Sequence, residues 1–230
     1  MMERMSSASE SITIDIDGTT VSGAYARPED AGATLVVAHG AGSGFEHPFL
    51  VGFTDALNAA GIATLRFNFA YREAGRSFPD RAPAAITAWR AALAFARQRA
   101  ADAGAPDEPV WASGKSFGGR MASMAVADGM EPAGLVYLGY PLHPPGRPEK
   151  IRDAHLYGLT LPMLFVEGTR DPFISVELLE SVVERIGPNA SIKWIEGGTH
   201  DFAIAGHKRP ADVIGASLAP AVAAYIRAQA

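Results

Sequence analysis

The chain has 230 residues, 48% of them hydrophobic, a formal net charge of -5 and no cysteine. That length supports one sizeable core and is short for two. Its dispersed, slightly acidic charge argues against nucleic acid or an anionic membrane surface as a partner. Without cysteine there can be no disulfide, thiolate metal site or cysteine nucleophile.

The opening stretch MMERMSSASESITIDIDG contains no apolar run of the signal-peptide kind, and no later stretch approaches the roughly 18 to 20 uncharged apolar residues of a membrane span. A soluble, cytoplasmic protein is therefore expected. SITIDIDG and TVSGAYARP alternate apolar with polar residues on either side of an Asp17-Gly18 turn, which reads as an antiparallel hairpin at a sheet edge. ATLVVAHG then reads as a buried strand at about 33 to 38, and Phe49, Phe53 and Leu57 recur at helical spacing until Gly61. The alternation continues through a strand in IATLRFNF, a helix carrying Ile86, Trp89 and Leu93, a strand in PVWASG and a helix from about Phe117 to Ala127. Strands in GLVYL, PMLFVEG and SIKWIEG follow, with helices marked by Leu179, Val183 and Ile186 and by Ile214, Leu218, Val222 and Tyr225. Apolar strands separated by amphipathic helices predict a single α/β domain over 1-230, a mostly parallel sheet with helices on both faces. Only about twenty residues separate GLVYL from PMLFVEG, too few for a helical lid domain.

In such a sheet ligands bind at the carboxyl ends of the strands. The loop there after VWAS is Gly114-Lys115-Ser116-Phe117-Gly118-Gly119, which fits G-x-S-x-G between a strand and a helix. This chemistry requires a turn tight enough to expose the serine hydroxyl above the sheet, and glycines at 114 and 118 remove the Cβ atoms that would obstruct it. The Phe117 N–H, at a helix N-terminus, is placed to stabilise developing negative charge. A bland alternative is a glycine-rich turn with no chemistry. A phosphate loop is a poorer fit, because Pro109 stands where that pattern needs a glycine.

A serine hydroxyl needs an imidazole to accept its proton and a carboxylate to orient the imidazole. Of six histidines, His200 in GGTHDF follows the last strand and precedes the last helix. His39 ends a strand and more readily holds loop geometry; His47 starts a helix; His155 and His207 lie in polar connections; His143 could line the pocket. Asp171 in GTRDPF follows a strand between nucleophile and base, with Asp153 in reserve and a simple turn before proline as the alternative reading. The order Ser116, Asp171, His200 is the one this architecture requires. Glycines in His39-Gly40-Ala41-Gly42-Ser43-Gly44 permit close backbone approach, and Ala41 N–H, or failing it Gly42, is expected to complete the oxyanion hole. Gly40, Gly42, Lys115, Tyr71 and His143 are candidate pocket residues, and Lys115, Arg72, Arg76 and Arg120 could favour an anionic acyl group or simply be solvated.

Taken in order, HGAG, GKSFGG, GTRDP and GGTHDF make the chain resemble the α/β-hydrolase superfamily over nearly its whole length. It is most similar to the small, lidless, dienelactone-hydrolase-related members, and in particular to the testis-expressed-protein hydrolase-like subfamily with its GKS-x-GGR turn, here Gly114 to Arg120. The resemblance implies an α/β-hydrolase fold, an acyl-enzyme mechanism on a small ester or thioester, and no cofactor or metal. One departure stands out: dienelactone hydrolases proper use a cysteine nucleophile, absent here. A catalytically silent binding or scaffold protein on the same fold, and an acyltransferase using the same three residues, remain open alternatives.

Overall fold

A computed structural model describes residues 9–229, so the first eight residues of the opening stretch lie outside it. In chain order the elements are β1 (Glu10–Ile16), β2 (Thr19–Ala26), β3 (Thr34–Ala38), α1 (Pro48–Ala59), β4 (Ala63–Phe67), α2 (Ala70–Glu73) and α3 (Ala82–Asp102). They continue with β5 (Val110–Lys115), α4 (Phe117–Ala127), β6 (Leu135–Leu138), β7 (Met163–Gly168), α5 (Val176–Ile186), β8 (Ala190–Ile195) and α6 (Ala211–Ala228). All eight strands join one sheet in the order β1-β2-β4-β3-β5-β6-β7-β8. The β1–β2 hairpin pairs antiparallel and the six strands from β4 to β8 run parallel.

Successive side chains of a strand point to opposite faces, so a strand covered on both sides must be apolar throughout. Val36, Leu65, Ala112, Tyr137 and Phe165 accordingly pack on one face with Trp89 and Leu93 of α3, Met121 of α4 and Leu179 of α5. Their neighbours Leu35, Val37, Trp111, Val136 and Val166 pack on the other with Phe53 and Leu57 of α1 and Leu218 and Val222 of α6. By length and composition alone α6 could cross a membrane; here Ile214, Leu218, Val222 and Ile226 are buried in the core it shares with α1. These two helices approach at backbone level. A Cβ on Gly215 would lie 1.9 Å from Phe49 O, and one on Gly52 2.1 Å from Asp212 O.

The structure adds to the expected elements a single helical turn, α2, too short to leave a periodic signal. Between β6 and β7 there is only a 3₁₀ turn at Leu156–Gly158, and no lid. This connection is braced internally and tied to α4 through Ser123. Arg152 N donates to Leu142 O (2.7 Å), Tyr140 Oη to Arg152 O (2.9 Å), and His155 Nε2 lies 2.8 Å from Ser123 Oγ.

Candidate active site

β5 ends at Lys115 and α4 begins at Phe117, so Ser116 alone makes the turn from strand to helix. Its φ of 51° and ψ of -112° are left-handed values that a side chain rarely adopts, at a cost of about 1–3 kcal/mol. The surroundings hold it there. Ser116 N donates to Leu138 O (3.0 Å), Ser116 O accepts from Arg120 N (3.1 Å), and Trp89 Nε1 donates to Gly118 O (3.1 Å). A Cβ on Gly114 would meet Gly119 N at 2.3 Å, and one on Gly118 would meet His39 O at 2.6 Å, so only glycine fits either position.

His200 Nδ1 donates to Asp171 Oδ2 at 2.6 Å. Asp171 Oδ1 accepts from Phe173 N at 2.8 Å, which gives both carboxylate oxygens a donor; its side chain is 0% exposed against 18% for His200. Because an ionised carboxylate only accepts, the hydrogen sits on Nδ1 and leaves Nε2 as an acceptor. The Phe173 ring packs edge-on to the imidazole at 4.5 Å. Ser116 and His200 line one cavity of about 870 Å³ with no direct hydrogen bond between them, a contact that commonly tightens only when substrate binds.

Gly40, Ala41, Gly42 and Lys115 line the same cavity, together with the start of α1 and α6. A Cβ on Gly40 would lie 3.8 Å from Ser116 Cβ, so the backbone of this loop passes close beside the serine. Gly40 O accepts from both Ser43 N (3.4 Å) and Ser43 Oγ (3.1 Å), which curls the loop. Phe117, first residue of α4, has no intrahelical acceptor for its N–H. Its ring turns to the core against Phe69 and Tyr71.

The other histidines have different work. His39 is fully buried; Nδ1 donates to Gly40 O (2.8 Å) and Nε2 accepts from Phe69 N (3.1 Å), and burial pushes its pKa down to about 4. It holds the loop, as its position at a strand end suggests. His47 caps α1, with Nδ1 accepting from Phe49 N at 3.3 Å. His155 belongs to the β6–β7 connection, with its pKa also pushed down to about 4 by burial, and His207 is exposed. Two sequence expectations need correcting. His143 is buried with Nδ1 against its neighbour's carbonyl, Pro144 O, and Tyr71 is wholly buried in the core; neither lines the cavity. Of the four cations read as flanking the pocket, Arg72 and Lys115 line it, Arg76 pairs with Asp80, and Arg120 lies away from it. Asp153, the reserve acid, accepts from Tyr157 Oη at 2.5 Å.

Two participants left no clear motif. Glu167, at the end of β7, is 0% exposed; Oε1 accepts from Tyr140 N and burial raises its pKa well above the carboxylate range. A charged residue closing an otherwise apolar strand was its only signal in the sequence. Phe173 stands in GTRDPF with nothing in its spacing to mark it. Among the described residues no group of three or more His, Asp or Glu is placed to hold a metal ion.

The family described as "Alpha/beta hydrolase domain" matches residues 31–224. The chain belongs to the alpha/beta hydrolase family. Solved structures extend the likeness over almost all of the chain. A serine hydrolase without lid from Xanthomonas campestris matches at 21% identity and TM-score 0.73, over 96% of this chain and 94% of that one. A dienelactone hydrolase from Anabaena variabilis matches at 19% and 0.76, over 97% and 98%. Est1E from Butyrivibrio proteoclasticus, in its structure with ferulic acid bound, matches at 19% and 0.71, over 94% and 99%. At these identities the likeness speaks for the shared fold.

Proposed function

We propose that the protein is a serine hydrolase of small carboxylic esters or thioesters, with Ser116 as nucleophile, His200 as general base and Asp171 as the acid that orients it. His200 Nε2 takes the Ser116 hydroxyl proton as the oxygen attacks the substrate carbonyl. The same imidazole then protonates the departing alcohol or thiol, and a water activated in turn releases the acid. The Phe117 and Ala41 N–H groups receive the oxyanion, each worth about 3 kcal/mol to the transition state. The observation that carries this reading is the left-handed Ser116, held at a cost in strain, in one cavity with an imidazole whose Nδ1 is committed to a buried carboxylate.

The cavity wall combines Phe45, Phe173 and Ile214, apolar groups that suit a short acyl chain or a single aromatic ring. The ferulic acid held by one structural neighbour is a ligand of that size. A fluorophosphonate probe is expected to label the wild-type protein and to leave Ser116→Ala unlabelled, alongside hydrolysis of short-chain p-nitrophenyl esters by wild type alone. Labelling that survives in Ser116→Ala would overturn the assignment.

A further inference from the structure

Resting on the hydrolase reading above, we propose that Lys115 is a positioning residue that sets the His200 loop against Ser116. The base and its acid are already tied to each other by several bonds. Arg170 N donates to Gly198 O (2.8 Å), Gly197 N to Thr169 Oγ1 (2.8 Å), Thr169 N to Ile195 O (3.2 Å) and His200 Nδ1 to Asp171 (2.6 Å). All of these join the end of β8 and the loop after it to the loop after β7, and none reaches the nucleophile. Among the described residues one hydrogen bond links the loop carrying His200 to the turn carrying Ser116: Lys115 Nζ donates to His200 O at 2.7 Å.

The chemistry of the site favours this use of a lysine. Lys115 is the last residue of β5 and the immediate neighbour of Ser116, so its backbone leads directly into the nucleophile's turn while its side chain spans to the base. The side chain is 11% exposed, lies 3.6 Å from Asp201 Oδ1 and sits over the Phe202 ring at 5.6 Å. Phe202 is itself left-handed at φ 59° and stacks on Phe49 at 5.8 Å, so the segment gripped by the ammonium is also anchored in the core. Burying an ammonium is costly unless it is paired and hydrogen-bonded, and burial does lower the Lys115 pKa. A methionine would fill this space without that cost. What a methionine lacks is a donor for the His200 carbonyl, and an imidazole hydrogen-bonded only at Nδ1 retains a swing towards and away from Ser116.

The test uses the full chain and compares Lys115→Met, Lys115→Gln and Lys115→Arg with wild type on a p-nitrophenyl ester. Glutamine is one atom shorter than lysine and does not reach the carbonyl, so it serves if the methionine protein does not fold. In Lys115→Met and Lys115→Gln kcat is expected to fall by about tenfold to a hundredfold, the range for a misplacement of around 1 Å, with KM within about twofold of wild type. Lys115→Arg, which retains a charged donor, is expected to recover most of kcat. Wild-type kcat in Lys115→Met or Lys115→Gln, a loss confined to KM, or equal loss in all three variants would overturn the proposal. A wild-type protein that no fluorophosphonate labels would instead overturn the hydrolase reading itself, before any variant is compared.

Discussion

His39, fully buried and hydrogen-bonded at both ring nitrogens, is pushed down to a pKa of about 4 by its burial. Its unfolded value is about 6.5. The unfolded chain therefore takes up a proton that the folded chain refuses, and stability declines as pH falls from about 6.5 to about 4, by roughly 3 kcal/mol in all. Above pH 6.5 His39 contributes nothing to this slope. His155, lowered to about 4 by burial but partly exposed, acts in the same direction more weakly. Thermal melts at pH 7.5 and 4.5 are expected to show the loss, with His39→Asn less stable at the higher pH and visibly flatter between the two. At the same scale, Asp171→Asn is expected to lower kcat by about 10³- to 10⁴-fold, since an amide at that place no longer selects the Nδ1–H tautomer. Asp153→Asn, whose partner is Tyr157, is expected to leave kcat at the wild-type level. Ester hydrolysis by the purified variants checks both. The loops that carry Ser116, Asp171 and His200 were legible in the sequence because each follows an apolar strand in the alternating pattern. Tyr71, His143 and the grip of Lys115 were not, since which way a loop side chain turns depends on packing that no spacing records.

α4 enters its strand turn with a clearance that only glycine satisfies. Gly118→Ala is expected to cost at least about 3 kcal/mol or to give insoluble protein, as the added Cβ would drive into His39 O, a backbone atom unable to yield. α6 offers the opposite experiment. Pro220 lies inside it on the exposed side, where it removes one helical hydrogen bond. Pro220→Ala is expected to stabilise the protein by about 1–3 kcal/mol, read as a higher denaturant midpoint. Elements with a long periodic pattern were readable from the sequence, as the agreement of α4 with the expected 117 to 127 illustrates. α2, one turn long, and the backbone-level meeting of Gly52 with α6 were not, because both follow from tertiary proximity.

For the whole molecule, the order of apolar strands and amphipathic helices carried the parallel sheet, the edge hairpin and the lidless β6–β7 connection. Strand order within the sheet was out of reach, because apolar runs of similar length pair equally well on paper. The pinned connection has a kinetic corollary. With no helix to displace, hydrolysis is expected to rise smoothly with ester concentration through the critical micelle concentration. A jump in rate at that point, measured with a long-chain p-nitrophenyl ester, would contradict a permanently open site.

The meeting of α1 and α6 at Gly52 and Gly215 separates two kinds of inheritance in this molecule. Residues proposed for the chemistry follow the ends of β5, β7 and β8, whereas Phe49 and Leu50 of α1 and Ala211 and Ile214 of α6 form part of the cavity wall. Phe49 also stacks on Phe202 at 5.8 Å, so substitutions that leave that stack in place reshape the wall without disturbing the segment that carries His200. A duplicated gene could thus acquire a new acyl preference from substitutions behind the wall, several residues removed from any reacting atom. A laboratory search for altered substrate choice would do well to randomise the α1–α6 seam before the loops that carry the chemistry.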